Sequence, residues 1–315
     1  MRTRLVLSLV SLLALVGVLY SQNRGTQIDV NVVSVPLSVS VADNKGKTIT
    51  NLKKEDFKVY EDDQLQAIRT FSRETDLPLS IVLLVDASGS VVDKVKFEQA
   101  AATDFFFNTI KRKKDRAAVV SFDSVATLLS NDTADGFNDE PERLAEAVKK
   151  IHAAGGSSVY DAIYRSVEKL LALEQGERRK LIVLISDGDD NSSRYSLTES
   201  LDLAQRHDVT IYAISTNKTS ETKSADKNRG DDVIKKLVEE TGGKAYFPLK
   251  LDDLASDFQK IGDELRSQYV LSYTPTNEIA DGTYRRVRVE MTDKKYKART
   301  RQGYFALKNH NQNAR

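Results

Sequence analysis

Ile81-Val82-Leu83-Leu84-Val85 is an unbroken apolar run that leads straight into Asp86-Ala87-Ser88-Gly89-Ser90. Successive side chains of a strand point to opposite faces, so a half-exposed strand alternates apolar with polar residues. A run with no polar break calls for a strand covered on both faces, as in a parallel sheet between layers of helices. The carboxylate and two hydroxyls at alternate positions then fall at the carboxyl end of that strand, where open α/β sheets build ligand sites. Three oxygen donors, with no His or Cys among them, suit a hard cation such as Mg²⁺ or Mn²⁺.

The rest of the middle region repeats this rhythm. Further buried strands are expected at Arg116–Phe122, Leu181–Ser186, Val209–Ser215 and Lys244–Phe247, with Val125–Leu129 as an antiparallel edge strand. Helical spacing of apolar residues marks Val92–Ile110, Glu140–His152, Val159–Glu174, Leu197–His207, Asp231–Glu240 and Leu251–Ser267. Alternating strands and helices specify a doubly wound, mostly parallel α/β sheet with helices on both faces, over residues 78–267.

The flanks differ. Residues 24–76 alternate in the strand manner (Gln27–Pro36, Leu37–Ala42, Asp56–Tyr60, Leu65–Phe71), and residues 268–307 do so again at Tyr269–Tyr273, Tyr284–Met291 and Tyr296–Phe305. Each flank is too small to close a core by itself. Together they supply enough strands for one β-sandwich-like domain, into which the α/β region is inserted; two separate β appendages are the alternative. Residues 308–315 form a polar tail. At the other end, Arg2 and Arg4 precede the uncharged apolar stretch Leu5 to Tyr20 and the polar Ser21-Gln22-Asn23, the layout of an export signal. Residues 1–22 are therefore expected to be a signal peptide or an amino-terminal anchor, which places the protein in the periplasm, outside the cell or on the envelope. With 47 basic and 46 acidic residues the chain carries no charge bias toward nucleic acid. It has no cysteine, which excludes disulfides, thiol catalysis and thiolate metal sites.

In a parallel sheet all carboxyl strand ends share one edge, so distant loops converge there. Three loops carry suitable groups: Asp86–Ser90, Gly155-Gly156-Ser157-Ser158, and Ser186-Asp187-Gly188-Asp189-Asp190. On these residues the chain resembles the von Willebrand factor type A domains. Asp86, Ser88 and Ser90 match the D-x-S-x-S of that family's metal-ion-dependent adhesion site, and Asp187-Gly188 matches its acidic third loop. Ser157 stands where the family usually has Thr. Val35-Pro36, Asn51 to Phe57 and Gly303-Tyr304-Phe305 further resemble a bacterial secreted subgroup. The resemblance implies Mg²⁺ or Mn²⁺ held by Asp86, Ser88, Ser90, Ser157 and Asp187, with the hydroxyls direct and the carboxylates often acting through water. Ser158 could replace Ser157 if the loop is shifted by one; otherwise Ser158, with Asp123 and Asp189, is a candidate to touch the ligands rather than the ion. The resemblance also implies a protein partner that presents an Asp or Glu carboxylate to the ion, and no catalysis.

The same residues admit other readings. Ser88 and Ser90 could cap a helix. Asp189 and Asp190 could be solvated loop acids. An esterase elbow needs Gly two residues either side of its Ser, and Ser88 is flanked there by Asp86 and Ser90. A Mg²⁺-dependent phosphatase-like hydrolase would use Asp86 as nucleophile. A structural envelope protein with a vestigial site would need none of these groups. Lys111-Arg112-Lys113-Lys114 is expected to be a solvated loop at a helix end, and Lys218 to Gly230 a loop near the metal edge that sets partner choice.

Overall fold

The computed structural model describes residues 34–73, 77–174, 176, 178–217, 225–250 and 253–307, with the backbone alone for 225–228. The expected signal peptide or anchor, residues 24–33 of the first β segment and the 308–315 tail lie outside the described residues. Among the described residues no helix is long and apolar enough to cross a membrane.

The apolar run forms β5 (Leu79–Asp86), every residue of which is buried. It pairs in parallel with β6 (Arg116–Phe122) on one side and β8 (Arg179–Ser186) on the other. Beyond β8 follow β9 (Val209–Ser215) and the short β10 (Ala245–Tyr246), both parallel; beyond β6, β7 (Ala126–Leu128) closes the edge antiparallel. The order is β10-β9-β8-β5-β6-β7. Alternation along β5 feeds two cores. Ile81, Leu83 and Val85 pack under α1 (Val95–Thr109), α2 (Pro141–Lys149) and α6 (Asp253–Leu265), against Phe106, Leu144 and Phe258. Val82 and Leu84 pack under α3 (Val159–Lys169), α4 (Leu197–Arg206) and α5 (Ala225–Thr241), against Ile163, Leu201 and Leu237. Each such buried side chain contributes roughly 1.5–3 kcal/mol relative to exposure.

Local chemistry sets the helix ends. Ser196 accepts the Glu199 amide while Glu199 reaches back to the Ser196 amide, a capping box that starts α4. Pro141 opens α2, where its missing N–H costs nothing. Two expectations change. α1 starts at Val95 rather than Val92, because Gly89–Val91 takes a 3₁₀ turn first. The expected Lys218–Gly230 loop is helical from Ala225, where α5 begins, so its polar first turns belong to the helix; residues 218–224 lie outside the described residues.

The flanking strands interleave. β1 (Val35–Asp43) lies between β13 (Tyr296–Arg299) and β11 (Tyr269–Tyr273), and β4 (Ile68–Ser72) pairs β11. A second sheet runs β14 (Gly303–Phe305), β12 (Tyr284–Met291), β2 (Phe57–Glu61), β3 (Gln64–Gln66). Leu37, Val39, Val59, Tyr269, Leu271 and Val287 form the core between them. Two single strands expected from sequence are each split between the sheets: Leu65–Phe71 into β3 and β4, and Tyr296–Phe305 into β13 and β14. Pro36 does not end a strand; β1 runs through it, at a position paired on one side only, with Ser272.

The chain passes from β4 into β5 and from α6 into β11, so both crossings lie at the amino-terminal edge of the parallel sheet. A buried polar network ties this junction together. Glu264, at the end of α6, accepts hydrogen bonds from Ser40 Oγ (3.0 Å) and Tyr212 OH (2.8 Å) and pairs with Arg299. Gln268 Nε2 donates to Ser40 Oγ at 2.8 Å and to Tyr212 OH at 2.9 Å.

Candidate metal centre

At the opposite edge, the three polar loops meet. Asp86 is wholly buried at the tip of β5. Its Oδ1 accepts the Ser88 amide at 2.9 Å; its Oδ2 accepts the hydroxyls of Ser186 (2.7 Å) and Ser157 (3.4 Å). Ser88 Oγ lies 2.9 Å from Ser90 Oγ, which donates to Asp187 Oδ2 at 3.0 Å. The five predicted residues Asp86, Ser88, Ser90, Ser157 and Asp187 are thus joined in one network, by hydroxyl–carboxylate bonds at Ser90 and Ser157, a hydroxyl–hydroxyl bond between Ser88 and Ser90, and the Ser88 amide to Asp86. Helix capping does not occupy Ser88: its hydroxyl accepts no amide at the turn that follows it.

The loops are held by backbone contacts between them. Gly89 N–H donates to Gly155 O (3.1 Å) and Ala154 N–H to Ala87 O (2.6 Å), fastening the second loop to the first. The amides of Asn191 and Ser192 both donate to Ser157 O at 3.0 Å, and Asn191 Oδ1 accepts the Ser157 amide at 3.0 Å, fastening it to the third. Gly188 has φ +80°, the left-handed region that favours glycine, and a methyl there would lie 2.2 Å from Gly230 O. Conversely a methyl on Gly230 would lie 2.2 Å from Asp187 O, so α5 and the third loop touch backbone to backbone.

The outer candidates separate. Asp189 donates its amide to Asp187 Oδ1 at 3.1 Å. Ser158 turns away and donates to the Asp123 carbonyl at 2.6 Å, while Asp123 Oδ1 accepts the Val125 amide in its own turn. Asp190 is not a solvated acid: its Oδ2 accepts the Tyr160 amide at 3.1 Å and its Oδ1 the Ser193 amide at 3.2 Å, an anchor for the start of α3.

Four contributors were missed. Ser186 precedes Asp187 and binds Asp86; its position at a buried strand end was a usable signal. Asn191 clamps Ser157, and Asn217, just past β9 on the same edge, donates to Asp187 O at 2.8 Å and to Asp231 Oδ1 at 2.9 Å. Glu98 is the fourth. It sits in the apolar stripe of α1, three residues after Val95 and four before Ala102, and that break in the stripe was its signal. It is wholly buried, and neither carboxyl oxygen has a hydrogen-bond partner. Burial, reinforced by the charges of Asp86 and Asp187 and opposed by Lys94, pushes its carboxyl up to about 8. Burial likewise raises Asp86 to about 6, against the hydroxyl and amide bonds that favour its charged form.

The oxygen spacing can be compared with an ion's demands. Among the described residues no group of three or more His, Cys, Asp or Glu side chains is placed to hold a metal ion, so an ion at this edge has to rely on hydroxyls. Octahedral Mg²⁺ with oxygens at about 2.1 Å has neighbouring ligands about 3.0 Å apart. The Ser88–Ser90 and Ser90–Asp187 separations of 2.9 and 3.0 Å match that edge. Burial holds Glu98 and Asp86 toward their neutral forms, and a nearby cation would favour the charged form of both. The donor set fits a hard divalent ion.

Fold and site together define a doubly wound domain with a hydroxyl-rich cluster, a candidate ion site, at the carboxyl edge of its sheet. The model of the von Willebrand factor type A domain matches residues 80–262, and the chain belongs to that family. Members are in general protein-interaction modules that often hold a divalent ion. A 194-residue stretch is 25% identical to calcium-activated chloride channel regulator 1 of Bos taurus, covering 61% of this chain but only 20% of that protein. Among solved structures, a von Willebrand factor type A protein of Catenulispora acidiphila is similar in fold over 88% of this chain and 73% of its own, with TM-score 0.51 and 14% identity. Proximal thread matrix protein 1 of the mussel byssus, whose adhesion-site motif is occupied by zinc, is 18% identical over 64% of this chain and 48% of its own, with TM-score 0.47.

Proposed function

We propose that this chain is an exported, metal-dependent protein-binding module. Ser88, Ser90 and Ser157, with Asp86 and Asp187 behind them, hold Mg²⁺ or Mn²⁺, and an Asp or Glu of a protein partner completes the coordination. The observation that carries this reading is the run of oxygens from Ser88 through Ser90 to Asp187 at octahedral spacing. When bound, the ion supplies an electrophilic docking point, because most of its direct ligands are neutral hydroxyls. The chain's own residues orient it: Asp86 is fixed by three donors, and the loops are tied to each other through their backbones.

The surroundings suit a protein partner. Val92 directly follows the first loop, Val125 lies just past β6, and Phe247 and Leu249 lie just past β10, all at the carboxyl edge and all exposed. Apolar side chains around a polar centre are the composition of a protein-docking surface. The phosphatase-like alternative is disfavoured by Asp86 itself. Asp86 is wholly buried, and the Ser88 amide and the Ser157 and Ser186 hydroxyls take three of its roughly four acceptor sites, which withdraws the carboxylate from attack on a substrate. In the same proposal residues 78–267 are the inserted module, residues 24–76 and 268–307 form one β domain, and residues 1–22 direct export.

The test is capture of envelope proteins on the immobilised chain in Mg²⁺ and in EDTA, with Ser90→Ala as a parallel bait. A partner should bind in Mg²⁺, release in EDTA and fail to bind Ser90→Ala. A partner retained equally in EDTA would refute metal-dependent docking.

A further inference from the structure

The largest described cavity lies far from the ion site, at the amino-terminal edge of the parallel sheet. It has a volume of about 700 Å³ and lies between that edge and the outer face of the β13-β1-β11-β4 sheet. Small-molecule sites in proteins commonly fall between about 300 and 1,000 Å³. The floor follows from strand alternation. Leu37, Leu271 and Phe71 point into the sandwich core, so the residues between them point out. Register aligns those in rows across three strands: Ser38–Val270–Ser72 and Pro36–Ser272–Thr70. Thr70 and Ser272 bond each other at 2.6 Å. Ser38, Ser72 and, from β9, Thr210 face the cavity with hydroxyls that have no hydrogen-bond partner among the described residues.

The opposite wall is basic. Arg178, Arg179 and Lys180 at the start of β8, His207 at the end of α4, and Arg301 all line it, against one acid among the described lining residues, Asp208. Asp208 is spent on Arg301, which also donates to Pro36 O at 2.8 Å. Arg179 is held by Leu265 O and Gln268, and Arg178 by Lys114 O. Lys180 is different. The acids whose charge reaches it are Asp208 and Glu174, and Glu174 is engaged by Arg116 and Ser80. Among the described residues its ammonium has no hydrogen bond or ion pair of its own, and neither has the His207 ring. Half-burial lowers Lys180 against the opposing pull of Asp208 and Glu174, and burial together with the neighbouring Lys180 and Arg206 lowers His207; an anion placed between the two would favour the charged form of both.

We infer that this cleft is a second binding site, for a small hydroxyl-rich oxyanion, a sugar phosphate or a sugar acid. The anionic group sits against Lys180 and His207, and the polyol lies across the hydroxyl rows of Ser38 and Ser72. Charge-assisted contacts supply the binding energy and the free hydroxyls its preference for a polyol. A neutral sugar lacks the first and inorganic phosphate the second. The site lies at the other end of the strands from the ion centre and does not depend on it.

The experiment is calorimetry on the full chain in EDTA, with glucose 6-phosphate, glucuronate, glucose and inorganic phosphate as separate titrants. Glucose 6-phosphate or glucuronate should bind, and the stronger of the two identifies the anion. Glucose should give no heat, and phosphate should bind about tenfold more weakly than the sugar phosphate. Lys180→Gln, folded by circular dichroism, should lose binding about tenfold or more. The chain has three histidines, so ring proton spectra resolve them; the sugar anion should move His207 and leave the exposed His152 unmoved. No heat with either sugar anion, unchanged affinity in Lys180→Gln, or an unmoved His207 signal would overturn the site. Phosphate binding as tightly as the sugar phosphate would overturn the polyol preference.

Discussion

Glu98→Gln should remove most of the pH dependence of this protein's stability when divalent ions are chelated. Glu98 is wholly buried with both oxygens unpartnered, and its carboxyl is raised from 4.5 to about 8. A raised acid holds its proton in the native state at pH values where the unfolded chain has released it. The unfolded chain therefore binds fewer protons, and stability falls as pH rises between about 4.5 and 8. Between pH 5 and 7 the linkage amounts to roughly 2–3 kcal/mol from Glu98. Asp86, raised from 3.8 to about 6, acts with the same sign over a lower window and adds about 1 kcal/mol. Urea unfolding in EDTA at pH 5, 6 and 7 measures both. Wild type should lose about 3–4 kcal/mol across that range and Glu98→Gln only about 1. Parallel pH curves for the two proteins would refute the reasoning, since Glu98 would then keep the same charge in both states.

Mn²⁺ affinity, followed by electron paramagnetic resonance, should fall as pH drops through about 6, where Asp86 takes up its proton. Gly230→Ala, whose methyl would lie 2.2 Å from Asp187 O, should weaken Mn²⁺ binding by about 10–100-fold while the far-ultraviolet spectrum is unchanged. Glu264→Ala should cost about 3–5 kcal/mol in urea unfolding, because it leaves Arg299, Tyr212 and Ser40 without their shared acceptor.

The parallel sheet was legible because burial on both faces leaves a direct mark: β5, β6, β8 and β9 each contain an apolar run with little polar interruption. Strand ends on one edge then made Asp86 and Asp187 neighbours, and Gly155-Gly156-Ser157, a loop between two helices, was the third polar loop suited to that edge. The resemblance to the type A family supplied the roles. What stayed hidden depended on partners distant in sequence. Leu65–Phe71 alternates smoothly, yet Gln64–Gln66 pairs β2 and Ile68–Ser72 pairs β11, a choice no local pattern encodes. The first turns of α5 are polar and looked like loop, since the helix is stabilised by apolar contacts made later, at Ile234 and Leu237. Ser158 and Ser157 are chemically identical neighbours. Only the fold decides that one meets Asp86 and the other the Asp123 carbonyl.

β5 is the more direct of the two covalent paths between the proposed docking point and the flanking β strands, the other leaving through α6 into β11. Asp86 is its last residue, and Leu79, its first, follows directly on the crossing from the β sandwich. In the proposed docking, a pull on the partner enters through Asp86 on β5 and through Asp187 just past β8, and the share entering through β8 reaches Leu79 across the β5–β8 ladder. Both neighbours of β5 are bonded to it in register, from Ser80 to Asp86 with β6 and from Leu79 to Val85 with β8. Parallel ladders stressed along their length share the force among all their hydrogen bonds at once, whereas a hairpin pulled from its open end gives way one bond at a time. If the proposed docking holds, the central strand of this sheet is placed to resist tension between a partner and the flanking β strands.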